Sequence, residues 1–216
     1  MPRAVLSRDA IIDAAFELLA EGGLDAITAR ALAGRLGVQA GALYYHLKDM
    51  AALRDEMATR IIRRMTADAA DAAGMAWRTL LREMAHRWRG LLLEYRDGAR
   101  VVSGTFLTDD EALRATETPL AALVAEGFSP VDAQRALLAV NVFVSGYVVE
   151  EQQRLAAAGR YTAADRQARL DPDAQPLNYA VSAEVVEFPR ESFDWAVEAL
   201  IAGIGVRLGL PATAPS

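Results

Sequence analysis

The chain has 216 residues, 53% of them hydrophobic, and a net charge of −6. This length allows one compact domain or two small ones, and the hydrophobic fraction excludes a chain that is disordered throughout. The absence of cysteine excludes disulfide bonds and thiolate metal sites, and the acidic balance gives nucleic acid no general electrostatic attraction.

The N-terminal third of the chain is predicted to form four helices, over about 7–22, 28–36, 39–46 and 48–71. Apolar residues recur in these segments at helical spacing. A serine or a threonine, both N-cap residue types, stands at the start of each of the first two helices. Glycine follows each of these two helices and ends it.

Four long helices are predicted in the remaining chain, over about 77–92, 109–126, 131–158 and 190–209. Residues 159–176 are polar and are expected to form a mobile loop, followed by a short helix over 177–186. The best strand candidate, residues 184–188, is too isolated to form a sheet. The chain is therefore predicted to be all-α.

The order of these helices predicts an N-terminal three-helix domain that a long helix joins to a larger helical domain. The predicted limits are 1–50 for the first domain, 51–72 for the connecting helix, 73–210 for the second domain, and 211–216 for a tail.

Residues 28–46 have the pattern of a helix-turn-helix, in which a second short helix presents side chains to the major groove of DNA. Tyr44, Tyr45 and His46 cannot all be buried on so short a helix, and their polar groups and ring faces suit phosphate oxygens and thymine methyl groups. Packing between helices is the alternative for Tyr44 taken alone, but the spacing of the whole set favours DNA contact. The predicted DNA-binding residues are Thr28, Arg30, Gln39, Ala40, Gly41, Tyr44, Tyr45, His46 and Lys48.

Bulk charge does not favour this interpretation. Residues 1–60 contain seven arginine or lysine residues against eight aspartate or glutamate residues. A DNA-binding face must therefore come from the local arrangement of side chains.

The N-terminal segment resembles the TetR family of repressors. The resemblance rests on Ala14-Ala15-Phe16-Glu17-Leu18-Leu19, Gly22-Gly23-Leu24, Thr28-Ala29-Arg30-Ala31-Leu32-Ala33, Leu36-Gly37-Val38 and Leu43-Tyr44-Tyr45-His46-Leu47. It continues at Trp77, Arg96-Asp97-Gly98-Ala99, Gly104-Thr105, Glu126-Gly127-Phe128-Ser129, residues 137–146 and Glu150-Glu151-Gln152. The resemblance implies that residues 1–50 are a helix-turn-helix DNA-binding domain and that residues 73–210 are an effector-binding and dimerisation domain. It also implies an all-helical homodimer whose two DNA-reading heads move apart when a small molecule binds, which releases the operator.

The tetracycline-binding members of this family bind the drug as a magnesium chelate, and the resemblance aligns their effector positions with this chain. It places Val102 at the metal-binding His, Met84 at a drug-binding Asn, Thr66 at a drug-binding His, Trp88 at an aromatic residue and Phe106-Leu107 at an Arg-Pro pair, while Thr105 and the acidic Glu150 are retained.

These replacements change the ligand chemistry that the resemblance implies. Val102 cannot ligate magnesium, which prefers several hard oxygen ligands, and Glu150 alone would be a poor site. The aligned residues are mainly apolar and aromatic, as in small-molecule cavities. We expect a lipophilic effector of an aromatic or polyketide-like kind, bound without metal or other cofactor. The alternatives are that these residues are simply core, that Glu150 is a solvated or interface carboxylate, and that the regulator has no small-molecule effector or is an activator.

The predicted helices 131–158 and 190–209 both carry wide apolar faces, which indicates a four-helix dimer interface. A two-fold dimer in turn predicts a palindromic operator. The apolar residues of the two faces are Leu137, Leu138, Val140, Val142, Phe143 and Val144, and Phe193, Ala196, Val197, Leu200, Ile201 and Ile204.

No feature of the sequence indicates an enzyme. His46 and His86 are the two histidines, and there is no glycine-rich phosphate loop or metal-spaced cluster, so no catalytic residue is predicted. The charged N-terminus lacks the pattern of a signal peptide, and no apolar run reaches membrane-spanning length. We expect a cytoplasmic protein whose partners are double-stranded operator DNA, a small lipophilic effector and a second copy of the chain, and not a membrane.

Overall fold

The computed structural model describes residues 6–66, 74–157, 159–160, 162–187 and 189–210. The helices of this part are α1 (Arg8–Gly22), α2 (Ala29–Leu36), α3 (Ala40–Leu43), α4 (Met50–Thr66), α5 (Trp77–Leu93), α6 (Gly98–Val102), α7 (Asp110–Ala115), α8 (Glu117–Ala125), α9 (Pro130–Ala156), α10 (Ala163–Gln167), α11 (Pro176–Ala180), α12 (Ser182–Glu187) and α13 (Arg190–Leu208), with a turn of 3-10 helix at Leu24–Ala26. No strand occurs among the described residues, and the all-α prediction is confirmed. No helix among them is both long and apolar enough to cross a bilayer.

The first two helices begin and end at the predicted capping residues. The Ser7 hydroxyl accepts a hydrogen bond from the Ala10 amide at 3.2 Å, and the Thr28 hydroxyl accepts one from the Ala31 amide at 3.1 Å. Gly37 ends α2 in the left-handed conformation with a φ of 65°, which glycine adopts without a steric penalty. The predicted caps are therefore confirmed.

The next two helices differ from the prediction at their ends. The third helix is shorter than predicted, since Ala40–Leu43 is α-helical and residues 44–46 form turns. The fourth begins at Met50, because the Asp49 carboxylate accepts a hydrogen bond from the Ala52 amide at 2.8 Å and acts as an N-cap. The predicted continuation of this helix beyond residue 66 lies outside the described residues.

The single helix predicted over 109–126 is two helices, α7 and α8. Pro119 lies in the first turn of α8, where it has no amide hydrogen and its ring would clash with the carbonyl of Ala115 in a continuous helix. The chain therefore breaks at Thr116. At the start of α7, the Asp109 carboxylate accepts the Ala112 amide at 2.7 Å. This bond, together with the ion pair to Arg63, holds the pKa of Asp109 below its usual value.

Two segments outside the predicted helices are helical. The helix α6 follows Asp97, which has a φ of 55° and is the residue before its first turn. The loop predicted over 159–176 contains α10, so that prediction is wrong. A reciprocal capping box starts α10, because the Asp165 amide donates to the Thr162 hydroxyl at 3.1 Å and the Thr162 amide donates to the Asp165 carboxylate at 2.8 Å.

The described helices form two compact units, Met1–Ser145 and Gly146–Ser216, and α9 runs from one into the other. In the first unit, α4 packs against α1, α5, α6 and α7. It buries Leu53, Met57 and Ile61, each at most 1% exposed. Burial of such side chains contributes about 1.5–3 kcal/mol each, which makes α4 the central helix of this unit. The domain limits predicted from the sequence do not coincide with these two compact units, and they stay a prediction.

Part of the face predicted for dimerisation lies in the core of the chain. Phe193, Val197 and Ile201 of α13 are each at most 1% exposed, and the Phe193 ring packs edge-on against Tyr147 at a centroid distance of 5.0 Å. These three side chains are therefore unable to contact a partner, and their assignment to the dimer face is wrong. Helical periodicity identified an apolar face but not what covers it.

A different stripe of α13 is exposed. Trp195 and Val206 are 75% and 84% exposed, and Ala199 and Ala202 are exposed between them. The spacing of these four residues places them on one face of the helix. On α9, Val142 is 62% exposed, which keeps part of the predicted apolar face available.

Candidate DNA interface and effector cavity

The helix-turn-helix segment presents its polar and aromatic side chains to solvent. Leu32 of α2 and Leu43 of α3 are at most 2% exposed and anchor the two helices to the core. Tyr45 is 90% exposed and Tyr44 is 49% exposed. All the predicted DNA-binding residues are exposed. The segment therefore offers a continuous surface on which each of these groups is accessible to a ligand.

The acidic side chains of residues 1–60 are all engaged with other groups in the described chain. Asp9 and Asp13 pair with Arg60, Glu17 and Glu21 with Arg35, Glu56 with Arg8 and Asp25 with Arg100, while Asp49 and Asp55 accept the amides of Ala52 and Phe106. Hydrogen bonds from Arg35 lower the pKa of Glu21, and the same contact, with Glu17 second, raises the pKa of Arg35. Exposed pairs of this kind add little stability. Four arginines offset part of the charge of six carboxylates, whereas Asp49 and Asp55 accept backbone amides.

Arg30 and Lys48 differ from the other cations among residues 6–60. Within the described part of the chain, neither forms an ion pair or a hydrogen bond, and both are exposed. They lie on either side of Tyr44–His46 in the sequence. Pairing with arginines partly offsets the carboxylates of this region, and it leaves Arg30 and Lys48 available to an anionic ligand.

A cavity of about 300 Å³ lies in the first unit, walled by α4, α5, α8, α9 and the residues around Leu107. Its lining is mainly apolar, with three polar but uncharged side chains. The apolar residues are Ile62, Met65, Met84, Trp88, Leu107, Pro119, Leu137, Leu138 and Val140, and the polar ones are Thr116, Gln134 and Asn141. This volume and composition are typical of a small-molecule site, for which volumes run from about 300 to 1,000 Å³.

Three of the predicted effector residues, Met84, Trp88 and Leu107, line this cavity. Trp88 is 5% exposed, and its indole Nε1–H donates to the Ser145 hydroxyl at 3.1 Å. That bond fixes the orientation of the ring in the cavity wall. The structure therefore brings together residues from α5 and from the segment after α6, which are remote in the sequence.

The other predicted effector residues do not line this cavity. Val102 and Thr105 lie in the segment beside it, and the Phe106 side chain is 78% exposed. Glu150 belongs to the second unit, where it pairs with Arg154 at 3.7 Å. The side chain of Thr66 lies outside the described residues. Their role in effector binding stays a prediction.

The residues of α9 that line the cavity were not among the predicted effector residues. Gln134, Leu137, Leu138 and Asn141 are spaced as one face of a helix, and they line the cavity together. The two leucines were instead predicted to lie on a dimer face. Helical periodicity shows which residues of α9 share a face, but what packs against that face depends on contacts between distant segments.

Residues 96–108 link the cavity wall to the DNA-binding region. The Arg96 guanidinium donates to the Glu21 carbonyl at 2.7 Å, and the Leu24 amide donates to the Asp97 carboxylate at 2.8 Å. These two bonds join the residues before α6 to the end of α1. Asp97 also pairs with Arg100 at 3.4 Å.

The same segment is bonded to α4 at two places. The Arg54 guanidinium donates to the carbonyls of Arg100, Val101 and Ser103, which satisfies the free carbonyls at the end of α6. Farther along, hydrogen bonds to α4 hold the residues on both sides of Leu107. The Phe106 amide donates to the Asp55 carboxylate at 3.1 Å, and the Thr108 amide donates to the Thr59 hydroxyl at 3.0 Å.

The residues present do not fit a magnesium chelate. Magnesium is held by carboxylates, other hard oxygens and water, whereas the cavity lining contains no acidic residue and no histidine. Among the described residues, no three His, Cys, Asp or Glu side chains are grouped so as to hold a metal ion. Val102, at the position aligned with a metal-binding His, offers no ligand atom.

Comparison with known proteins places the whole chain in one family. The model for bacterial regulatory proteins of the tetR family matches residues 11–57, and the model for the tetracyclin repressor-like C-terminal domain matches residues 71–208. The chain is 38% identical to tetracycline repressor protein class D from Escherichia coli over 206 residues, which cover 95% of this chain and 92% of that protein. The chain belongs to the TetR family of bacterial regulatory proteins. It is a helix-turn-helix transcriptional regulator and not an enzyme, and the resemblance found in the sequence is confirmed.

Solved structures have the same fold. A possible TetR family transcriptional regulator from Streptomyces coelicolor A3(2) aligns with a TM-score of 0.79 at 31% identity, covering 93% of this chain and 99% of that one. A TetR variant from Acinetobacter baumannii AYE in complex with minocycline aligns with a TM-score of 0.68 at 34% identity, covering 94% and 98%. The predicted combination of a helix-turn-helix head with a helical second domain is therefore confirmed.

Proposed function

We propose that this chain is a repressor that binds a palindromic operator as a homodimer and is released when a lipophilic small molecule enters the cavity of the first unit. One observation carries the proposal. Leu107 forms part of the cavity wall and lies between two residues that are hydrogen-bonded to α4, the helix that leads to the DNA-binding segment.

The DNA contacts are assigned to the exposed helix-turn-helix surface. Tyr44, Tyr45 and His46 reach base edges and phosphates, and the unpaired Arg30 and Lys48 contact phosphates. Thr28, Gln39, Ala40 and Gly41 complete the surface, and the small residues let the backbone of α3 approach the groove closely. Two such heads related by a two-fold axis require two similar half-sites.

The effector is bound without metal. The cavity offers sulfur, aromatic and aliphatic contacts from Met65, Met84, Trp88 and Leu107, which suit an apolar ring system. The relatives include tetracycline repressor proteins and a structure with minocycline, but the cavity lacks the acidic and histidine ligands that a magnesium chelate needs. The effector therefore differs from a magnesium-bound drug.

Release follows a population shift between two head positions. A ligand changes the equilibrium only if it binds one position more tightly than the other. Ile62 and Met65 of α4 line the cavity, and Leu107 is tied to α4 through its neighbours. A ligand that pushes on these side chains acts directly on the helix that carries the head.

The dimer is assigned to the exposed apolar faces of α9 and α13. Trp195 and Val206 expose large apolar surfaces, and burial of such surfaces against a second copy is favourable. Because the operator is chromosomal or plasmid DNA, the protein acts in the cytoplasm.

An electrophoretic mobility shift assay with the DNA flanking the protein's own gene tests the proposal. We expect a shifted band that neutral aromatic compounds abolish and that magnesium with tetracycline leaves intact. Calorimetry with magnesium and tetracycline is the second measurement. Tight, saturable, magnesium-dependent binding would refute the metal-free effector. A band that no compound changes would favour the regulator without an effector, and higher transcription from the bound promoter would favour the activator.

A further inference from the structure

The cavity contains two free carboxamides on one face of α9. Gln134 and Asn141 both line the cavity, and neither side chain has a hydrogen-bond partner within the described part of the chain. Asn141 is seven positions after Gln134, which corresponds to about two helical turns, or roughly 10 Å along the axis. The third polar group, the Thr116 hydroxyl, already donates its proton to the Leu113 carbonyl at 2.7 Å.

The surface between the two carboxamides is apolar. Leu137 and Leu138 lie one turn after Gln134 and one turn before Asn141, and they line the same cavity. Each carboxamide offers one acceptor oxygen and two N–H donors. A ligand along this face therefore meets a hydrogen-bonding group, an apolar stretch and a second hydrogen-bonding group.

No charged side chain lines the cavity. Both carboxamides are exposed, so a charged ligand group there stays partly in water, but the lining offers it no partner of opposite charge. The site consequently favours uncharged groups over carboxylates, sulfonates and ammonium groups. It accepts hydroxyl and carbonyl groups, which a carboxamide can satisfy by donating or accepting.

We propose that Gln134 and Asn141 select an uncharged, flat ring system that carries a hydroxyl or carbonyl group at each end. The inference rests on the proposed effector function of this cavity and specifies the class of ligand. Leu137, Leu138 and Trp88 contact the rings, and the two carboxamides bind the ends.

Calorimetry of the full chain with four anthraquinones tests this selection. The probes carry two hydroxyl groups at opposite ends, one hydroxyl, none, or two sulfonates at opposite ends, and the pH is kept well below the pKa of a phenol. We expect the dihydroxy probe to bind most tightly. Each missing hydroxyl weakens binding by about five- to tenfold, as expected for one hydrogen bond, and the disulfonate binds at least about 25-fold more weakly than the dihydroxy probe, because it lacks both hydroxyls and finds no cation in the lining.

Two variants assign the effect to the carboxamides. Gln134→Leu and Asn141→Leu each weaken binding of the dihydroxy probe by about five- to tenfold and leave the unsubstituted probe within about twofold. Both positions are exposed, so leucine is tolerated there, and the alanine variants repeat the test with less added bulk. Gln153→Leu is the matched control, because Gln153 is an exposed glutamine on the same helix outside the cavity lining.

The outcomes separate this inference from the proposed function. Equal affinity for hydroxylated and unsubstituted probes, or equal weakening of both by the two variants, overturns the selection and leaves a lipophilic effector site in place. Preferred binding of the disulfonate, or no binding of any of the four probes, overturns the selection and the proposed effector site together.

Discussion

Tyr45 exposes 90% of its surface in the isolated chain, so the folded state gains almost nothing from its ring. An aromatic residue exposed to this degree is typical of a binding surface and not of a core position. Burial therefore distinguishes side chains that stabilise the fold, such as Leu43, from those that are free to contact DNA.

We expect Tyr45→Ala to weaken operator binding by roughly tenfold or more, since one base contact is worth about 1–3 kcal/mol. The melting temperature should not change, because the side chain buries little area. Fluorescence anisotropy with operator DNA and thermal unfolding measure the two effects. Tyr179→Ala, in the second unit and 37% exposed, is the control and should leave operator binding unchanged. An unchanged affinity for Tyr45→Ala would remove this residue from the interface.

Lys48→Ala is expected to change how operator binding depends on salt. One lost phosphate contact should reduce the slope of log K against log salt concentration by about one and weaken binding similarly on all sequences. Arg135→Ala provides a control, because Arg135 is exposed but pairs with Asp132 at 3.2 Å. Identical slopes for the Lys48→Ala variant and the unaltered protein would contradict a phosphate contact.

Most helix ends in this chain are determined by capping residues and their near neighbours in the sequence. The caps at Ser7 and Thr28 and the stop at Gly37 were predictable, because each acts through atoms within a few residues. The helix α10 could also have been predicted, since Thr162 and Asp165 have capping-box spacing. The break at Thr116 could likewise have been inferred from Pro119.

Gly23 illustrates how one element meets another. Its φ of 79° and ψ of −176° lie in a region that other residues rarely enter. A Cβ atom there would lie 2.5 Å from the Asp97 carboxylate, whereas Gly37, with a φ of 65°, has open space around it. Gly23 is therefore required by its backbone and by its neighbour, and Gly37 by its backbone alone.

This difference predicts unequal costs for the same substitution. Gly37→Ala should destabilise the protein by about 1–2 kcal/mol, the cost of a left-handed alanine. Gly23→Ala should cost about 3 kcal/mol or more, because strain in this backbone region adds to the displacement of Asp97. Urea denaturation of both variants measures the difference. Equal costs would mean that Asp97 can move away from the end of α1 without loss of folding stability.

At the scale of the whole molecule, the first unit joins the cavity to the DNA-binding segment through α4. Thr59 is 3% exposed and accepts the Thr108 amide, so it connects α4 to the residue after Leu107. Such bonds couple Leu107 and its neighbours in the cavity wall to the central helix, in addition to the side chains of α4 that line the cavity.

Thr59→Val should uncouple effector binding from operator release. The substitution keeps the shape of the side chain but leaves the Thr108 amide without its acceptor. This weakens the contact between α4 and the residue after Leu107 by about 1–3 kcal/mol. With the dihydroxylated anthraquinone as effector, calorimetric affinity should stay within about threefold, and the concentration for half-release of the operator should change by about tenfold. Thr118→Val, on α8, is the control. Parallel changes in affinity and release would assign Thr59 to binding rather than to coupling.

The sequence by itself determined the helical class, the family and the helix-turn-helix surface, because these depend on periodicity, caps and spacing within short segments. It also indicated that Met84, Trp88 and Leu107 belong to an apolar site. Only the tertiary structure decided which face of α9 lines the cavity and which face of α13 is buried. It alone also paired Asp9 with Arg60 and Asp25 with Arg100, and it left Arg30 and Lys48 without an ion pair among the described residues. These features depend on contacts between residues far apart in the chain, and local patterns carry no information about such partners.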